Sequence, residues 1–379
     1  MRIAIIGGGI TGLTTALALK KFNIEASVFE SFSDLRIEGA GVWMQPNALK
    51  VFDFLAIKED IISNGTSLTK VELLNGKTLI PFQNTNSNLV ENGNLPIVAM
   101  HRGRLLETLY SKLNPEKVHF NKRLESLSEH NNNISLKFED GSEEKFDLVL
   151  GADGIHSAVR KSVFDDTSLR YSGQTCWRGI ADFNMPNNFL ATGNETWLNN
   201  KRFGFSNINA KQVYWFAVEK AEENETDETH LVKEKVSMKF SEFHPLINQI
   251  INATERKSIF RNDISDLKRL KTWSKGNVCL LGDAGHATTP NMGQGACQGI
   301  EDAYFIAHYI KESESAAEAF TKFEQKRRKK VDSIVNQSWQ FGQMAHSTLG
   351  RNISIALMKI LPASIMQKQL EKVYELEAI

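Results

Sequence analysis

Arg2 to Lys21 reads RIAIIGGGITGLTTALALKK, and Glu25 to Glu30 follows as EASVFE. Arg2 to Ile6 is a short apolar, β-branched run, which predicts a strand. The glycines then give way to helical spacing, with Leu13, Leu17 and Phe22 among the apolar positions. EASVFE reads as a second strand, so the segment opens a β-α-β unit. Within it Gly7-x-Gly9-x-x-Gly12 lies between the strand and the helix, and Glu30 ends the next strand. This is the dinucleotide-binding fingerprint in its structural setting. Its glycines permit a tight turn and let backbone amides approach a pyrophosphate at a helix N-terminus, while Glu30 can accept hydrogen bonds from a ribose. The motif does not separate NAD from FAD.

Two further constellations lie outward from this unit. Asp147 to Arg160, DLVLGADGIHSAVR, is an apolar strand that delivers Asp153-Gly154, then Ser157 and Arg160 on a following helix. Asp153 is either a ligand group or an N-cap. Farther on, strand Val278 to Leu281 leads into Gly282-Asp283-Ala284-Gly285-His286, then Pro290 and Gly293-Gln294-Gly295. A helix follows with Ala296, Ile300, Ala303, Ala307 and Ile310 at helical spacing, carrying Glu301-Asp302. An aspartate ending an apolar strand can bind cofactor hydroxyls. Glycines just before a helix expose amides and a positive dipole end, suited to an anionic ring. A glycine-rich helix cap is the alternative reading.

Between these motifs, Ala48 to Ile57 and His101 to Lys112 read as amphipathic helices, and Val71 to Met100 as strands and polar loops rich in asparagine from Asn84 to Asn94. Strands are expected at Val118 to Phe120, Ile134 to Phe138 and Phe146 to Leu150. Tyr171 to Glu219 has aromatic residues in short alternating stretches, which predicts a second, mostly antiparallel sheet. The acidic stretch Glu222 to Glu228 reads as a solvated loop. A long helix is expected from Ala316 to Met344, with the basic run Lys326 to Lys330 as its solvated face.

Length and composition bound the function. A chain of 379 residues suggests two domains at roughly 150 residues each. With 41% apolar and 24% charged residues, disorder is excluded, and 45 basic against 45 acidic groups give no pull toward nucleic acid or an anionic membrane. Cys176, Cys279 and Cys297 form no CxxC, and no His/Cys/carboxylate cluster has metal-ligand spacing, so neither a disulfide framework nor a metal is expected. Cys279 and Cys297 read as packing residues. There is no Gly-x-Ser-x-Gly elbow of a hydrolase. Glycines inside the first apolar run and Lys20-Lys21 after it argue against a signal peptide, and no run of about 20 apolar residues offers a membrane span. A cytoplasmic protein is expected.

Together the glycine fingerprint, the Asp153-Gly154 motif with Arg160 and the Gly282-Asp283 motif with Pro290 resemble the class A flavoprotein monooxygenases, in their order and approximate spacing. The resemblance implies an α/β fold, α+β overall: a Rossmann-like FAD-binding domain from residues 1–70, 100–165 and 275–325, an interleaved antiparallel substrate domain from 71–99 and 166–274, and C-terminal helices from 326–379. It implies FAD as cofactor and NADH or NADPH as reductant, with O2 forming a flavin hydroperoxide whose distal oxygen passes to the substrate. A single glycine fingerprint agrees with the absence of a separate NAD(P)H domain.

Carried over by position, Gly7, Gly9, Gly12, Glu30 and Arg102 would hold the ADP half of FAD, with Leu124 holding adenine by its backbone. Asp283 would bind the ribityl-pyrophosphate region. Val42, Pro290, Gly293, Gln294, Gly295 and Ala296 would line the isoalloxazine, and Asp153 and Arg160 would serve cofactor and NAD(P)H.

GDAGHATTPNMGQGACQGIEDA, Gly282 to Ala303, resembles FAD-dependent urate hydroxylases, Gly285 included. Arg202 and Tyr214 fall where those enzymes place an arginine and a tyrosine against substrate; a surface arginine and a core tyrosine are the alternative. An arginine can hold an anionic purine, and a tyrosine can donate to it or stack on it. YSGQTCWRGIADF, Tyr171 to Phe183, instead resembles zeaxanthin epoxidases, and Cys176 or Arg178 stands where urate enzymes carry an asparagine. No histidine accompanies Tyr214 as a phenol-deprotonating base. Trp177 and Trp215 either line the substrate chamber or belong to the core, and His286 is expected to structure its own loop. The expectation is hydroxylation of a small aromatic or heteroaromatic substrate, urate specifically, by a monomer or homodimer. The alternatives are an epoxidase or hydroxylase of a larger apolar molecule, and a flavin reductase without oxygen transfer.

Overall fold

The computed structural model describes residues 1–35, 39–82, 95–130, 133–164, 168–360 and 363–379. The asparagine-rich part of the Val71 to Met100 segment, from Asn84 to Asn94, lies outside the described residues. Strand Ile3–Ile6 is buried along its whole length, as an apolar strand covered on both faces must be. It sits inside a six-stranded sheet, parallel to Ala26–Phe29 on one side and Leu148–Gly151 on the other. Val118–His119 and Val278–Leu280 extend the parallel order outward, and Ser274–Lys275 closes one edge antiparallel. The return of the chain at Val278 therefore completes the sheet that Ile3 began. Helices Ile10–Lys21 and Gly295–Glu312 pack together over it. Thr11 is wedged between Gly282 and Gly299, where a Cβ would fall 2.7 and 2.1 Å from its Oγ1.

The apolar run expected at Phe146 to Leu150 is divided between two sheets. Glu143–Phe146 pairs with Asn133–Phe138 in a three-stranded antiparallel sheet, whereas Leu148–Gly151 enters the parallel one. Asp147 marks the change, its carboxylate accepting from the Arg2 amide at 2.6 Å.

The second large sheet runs Phe260–Leu267, Leu169–Asp182, Gln212–Lys220, Lys201–Asn207, Thr192–Leu198, Lys70–Asn75. It is antiparallel except for its last pair. Helices Val232–Lys239 and Pro245–Asn252 flank it and contribute Val236, Ile247 and Ile250 to a core shared with the sheet's odd-numbered aromatics. A smaller antiparallel sheet of Gly41–Met44, Ile97–His101 and Thr66–Leu68 is drawn from the chain between Ala26–Phe29 and Val118–His119 of the first sheet. Helix Ala316–Ala345 is continuous through residue 326, and helices Thr348–Ile360 and Ala363–Tyr374 follow it. No helix among the described residues is long and apolar enough to cross a membrane.

Glu222, Glu223, Glu225 and Glu228 form the exposed loop expected of them, but each of the two charged stretches holds a residue that departs from a solvated role. In the acidic loop, Asp227 is 4% exposed at its side chain, accepts from Trp177 Nε1 at 2.5 Å and pairs with Lys235. In the basic run, Arg327 is 1% exposed. It donates to Asp302 at 2.9 Å, to Glu301 at 2.5 Å and to the Gln298 side chain at 2.6 Å. Lys330 pairs with the same Glu301 at 2.8 Å, while Lys329 faces solvent. A charge run on a helix is solvated only where no partner helix covers it; here the helix turns one face onto Gly295–Glu312.

Candidate active site

Gly7 has φ +108°, a backbone state that L side chains rarely adopt. A Cβ there would meet the Ala152 carbonyl oxygen at 2.5 Å, and one on Gly12 would meet that of Gly7 at 1.9 Å. The first and third glycines thus allow the turn and the close packing of helix on strand. Gly9 differs: nothing lies where its Cβ would point, and it lines a cavity of about 1810 Å³. Helix Ile10–Lys21 begins there with no side-chain cap and no acid in its first turn, leaving unpaired amides and a positive dipole end.

A second helix presents the same kind of terminus to the same cavity. Gly293, at φ +63°, turns the chain into helix Gly295–Glu312, which also lacks a side-chain cap and an acid in its first turn. Pro290, Gly293, Gly295 and Ala296 line the cavity, as do Val42, Arg102 and Asp283. Asp283 opens onto the cavity yet is ringed by protein. That enclosure pushes its carboxyl up, against the opposing charges of His286, Arg102 and Arg160.

Open space at Gly9, two uncapped helix ends and a cavity beyond the roughly 300–1,000 Å³ of common small-ligand sites fit a dinucleotide with a substrate beside it. The pyrophosphate suits Gly9, and an electron-rich ring suits Gly293 to Ala296.

Other residues expected at the site hold this wall from behind. Glu30 accepts from the Gly8 amide at 2.7 Å and the Phe32 amide at 3.0 Å. Asp153 accepts from the amides of Ala158 at 2.7 Å and Val159 at 3.1 Å, as a cap for helix Ala158–Val163. Arg160 donates to the carbonyls of Ala284 at 2.8 Å and Ile155 at 2.5 Å, tying that helix to the Asp283 loop. Leu124 buries its side chain in the main core. His286 pairs with Asp302 at 2.6 Å and packs on Trp273. Burial would raise the Asp302 carboxyl, but His286 and Arg327 bring it down to about 2.

Gln294 is buried and bonded to Gln45, to Asn47 at 3.0 Å and to Gln298 at 2.7 Å. Asn47 reaches on to Glu301 at 2.6 Å. Through Glu301, Arg327 and Lys330 are joined to the loop that lines the cavity.

The second sheet supplies the opposite wall. Its register pairs Arg202 with Val218 and Val218 with Cys176, Phe216 with Arg178, and Ser206 with Tyr214. Directly paired residues share a face, and this even-numbered face lines the cavity with Cys176, Arg178, Arg202, Tyr214, Phe216 and Val218. The odd-numbered face points the other way. Trp177 and Trp215 are therefore core residues, not chamber residues; Trp215 stacks on Phe203 at 5.4 Å and donates to Thr254 at 2.8 Å.

Arg202 is 2% exposed, pairs with Glu195 at 3.4 Å and donates to Asn291. Tyr214 lies against Gly41, where a Cβ would fall 2.3 Å from the ring. Burial pushes its hydroxyl up to about 12, with Arg178 acting in the opposite direction.

Sequence reasoning missed several contributors. Trp43 lines the cavity and donates to Ser206 at 3.0 Å, and Gln45 donates to the carbonyls of Met292 at 2.9 Å and Gly293 at 3.1 Å. Their only signal was adjacency to Val42. Lys368 to Glu375 of the C-terminal segment also border the cavity, and Lys50 holds the Tyr374 carbonyl at 3.0 Å.

The family profile described as FAD binding domain matches residues 1–338. The aurachin C monooxygenase/isomerase of Stigmatella aurantiaca is 32% identical over 91% of this chain and 89% of its own. The FAD-dependent urate hydroxylase of Klebsiella oxytoca is 30% identical over 88% of each. A chloroplastic zeaxanthin epoxidase of an Oncidium hybrid cultivar is 32% identical over 91% of this chain, which spans 55% of that longer protein. Among solved structures, Klebsiella pneumoniae HpxO complexed with FAD and uric acid superposes with a TM-score of 0.90, at 24% identity, over 99% of this chain and 96% of that one.

Proposed function

Because this chain belongs to the FAD binding domain family and is a flavoprotein monooxygenase, we propose that it hydroxylates a small heteroaromatic substrate, with urate as the specific candidate. One observation carries the reading. A single cavity joins the open glycine edge and two helix N-termini to the polar groups Arg178, Arg202 and Tyr214 of the second sheet.

The chemistry that bound FAD supplies is acceptance of hydride from NAD(P)H and activation of O2. We assign the pyrophosphate to the amides after Gly9, cofactor hydroxyls to Asp283, and the ring to Val42, Pro290 and Gly293 to Ala296. Glu30, which holds the Gly8 amide beside Gly9, would accept from the ribose; Asp153 and Arg160 act by holding the loops in place. Gln45 and Gln294 fix the Met292–Gly293 turn, so its amides are preorganised toward charge on the ring. Tyr214, protonated at neutral pH, donates a hydrogen bond to substrate. Arg202, tethered by Glu195 and Asn291, sets the end of the chamber. Walls of Trp43, Leu73, Ile97 and Phe216 exclude water.

A second reading rests on those same apolar walls and the aurachin relative: a substrate with a larger apolar substituent. Anaerobic reduction of the yellow holoprotein by NADH and by NADPH, each with and without urate, separates them. Faster reduction with urate supports the purine; reduction indifferent to urate but followed by incorporation of label from 18O2 into an alkyl-substituted heteroaromatic supports the second. Reduction without incorporation into any substrate refutes oxygen transfer. Asp283→Ala should release FAD, whereas Arg202→Ala should retain it and lose the substrate response; equal flavin loss would overturn this division.

A further inference from the structure

Three arginines line the cavity: Arg102, Arg178 and Arg202. Arg202 is neutralised by Glu195 and held by Asn291. Arg102 stands at the nucleotide end, where its charge acts on Asp283. Arg178 is different. Among the described residues no carboxylate is paired with it; the groups that act on it are the Cys176 thiol and the Tyr214 hydroxyl. The register explains why. Arg178 is opposite Phe216 and diagonal to Tyr214, and the row continues through Gly204 to Glu195, two strands beyond Phe216. Phe216 leans over Gly204, where a Cβ would lie 2.1 Å from its ring, so an aromatic side chain stands between Arg178 and that carboxylate.

A guanidinium does not deprotonate at working pH, and a cation enclosed without a counter-ion is costly. The chamber thus holds one positive charge whose partner the described protein does not provide, beside a hydroxyl able to donate to the same acceptor. Charge-assisted donors of this kind recognise an oxyanion. We infer that Arg178 and Tyr214 form an oxyanion subsite, which selects aromatic substrates carrying a negatively charged oxygen over neutral ones of the same shape. This rests on the hydroxylase reading and narrows its substrate class. It also moves the anion-recognising role from Arg202, which already has a carboxylate, to Arg178.

The test compares two probes of one shape, salicylate and its neutral counterpart salicylamide, titrated at neutral pH into FAD-loaded protein and followed by the flavin absorbance. Wild type should bind salicylate at least about tenfold more tightly, the lower end for a charge-assisted hydrogen bond. Arg178→Gln should abolish that ratio while leaving salicylamide unchanged, and Arg178→Lys, which keeps the charge, should retain part of it. Retained flavin absorbance in each variant checks folding. Equal responses to both probes in wild type, including none to either, overturn the subsite; so does a ratio that survives in Arg178→Gln. NADH and NADPH reduction of the same preparations tests the hydroxylase reading separately. Discrimination without reduction leaves the subsite and removes that reading, and reduction without discrimination does the reverse.

Discussion

The two walls of the cavity are built from different materials. The nucleotide wall is mostly backbone: Gly7, Gly9 and Gly12, then Gly293 and Gly295, shape turns and free amides within a few residues of one another. The opposite wall is side chain: Cys176, Arg178, Arg202 and Tyr214 come from three strands and meet only through pairing register. At Gly7 and Gly12 the backbone wall has no room for an added atom, and at Gly9 a side chain would enter the cavity itself, whereas a side-chain wall tolerates substitution and changes what it recognises.

The largest effect expected from this contrast is at Gly12. Its Cβ position lies 1.9 Å from a backbone oxygen that has nowhere to move, so Gly12→Val should yield no FAD-loaded protein, read by the flavin-to-protein absorbance ratio. A folded, yellow Gly12→Val would break the account of the backbone wall.

Next comes the buried network behind that wall. Removing Arg327 takes the guanidinium from two buried carboxylates, leaving Glu301 to Lys330 and Asp302 to His286, and Arg327→Ala should cost about 3–5 kcal/mol in urea unfolding; Lys329→Ala, two residues on and solvent-facing, should stay within about 0.5 kcal/mol. The same network sets an acid limit. The Asp302 carboxyl is depressed to about 2 in the folded protein, against about 3.9 when unfolded. It therefore contributes stability that is present above about pH 4 and is lost as pH falls toward 2. In Arg327→Ala that acid dependence should shrink; an unchanged acid profile would mean that the ion pair does not set it.

Smaller still is the effect of turning to the sheet's odd face. Trp215→Phe removes a hydrogen bond and some packing, about 1–3 kcal/mol, but should leave ligand discrimination untouched because the residue points away from the cavity. A changed preference between salicylate and salicylamide would show that the two faces are coupled.

Much of the nucleotide wall was legible in the chain alone. Gly7-x-Gly9-x-x-Gly12 between a strand and a helix, and Gly293-x-Gly295 before another, state their geometry locally, since turn, amide and dipole all arise from contiguous residues. The returning strand Val278 to Leu280 was legible for a similar reason: an apolar run bounded by glycine repeats the pattern of Ile3 to Ile6. The basic run at Lys326 to Lys330 misled, because the sequence shows five charges but not the helix that covers two of them, Arg327 and Lys330. Trp177 and Arg178 are neighbours in sequence and point to opposite faces, one into the core and the other into the cavity.

By itself, then, the sequence determined the family, the opening of the parallel sheet and the glycine turns whose helix ends face the cavity, because those properties depend on residues close together in the chain. Only the tertiary structure decided which arginine is neutralised, which tryptophans leave the chamber and how Arg327 reaches Gln294 through Gln298. Those outcomes depend on strand register and helix docking, in which a shift of one residue exchanges the two faces of a strand.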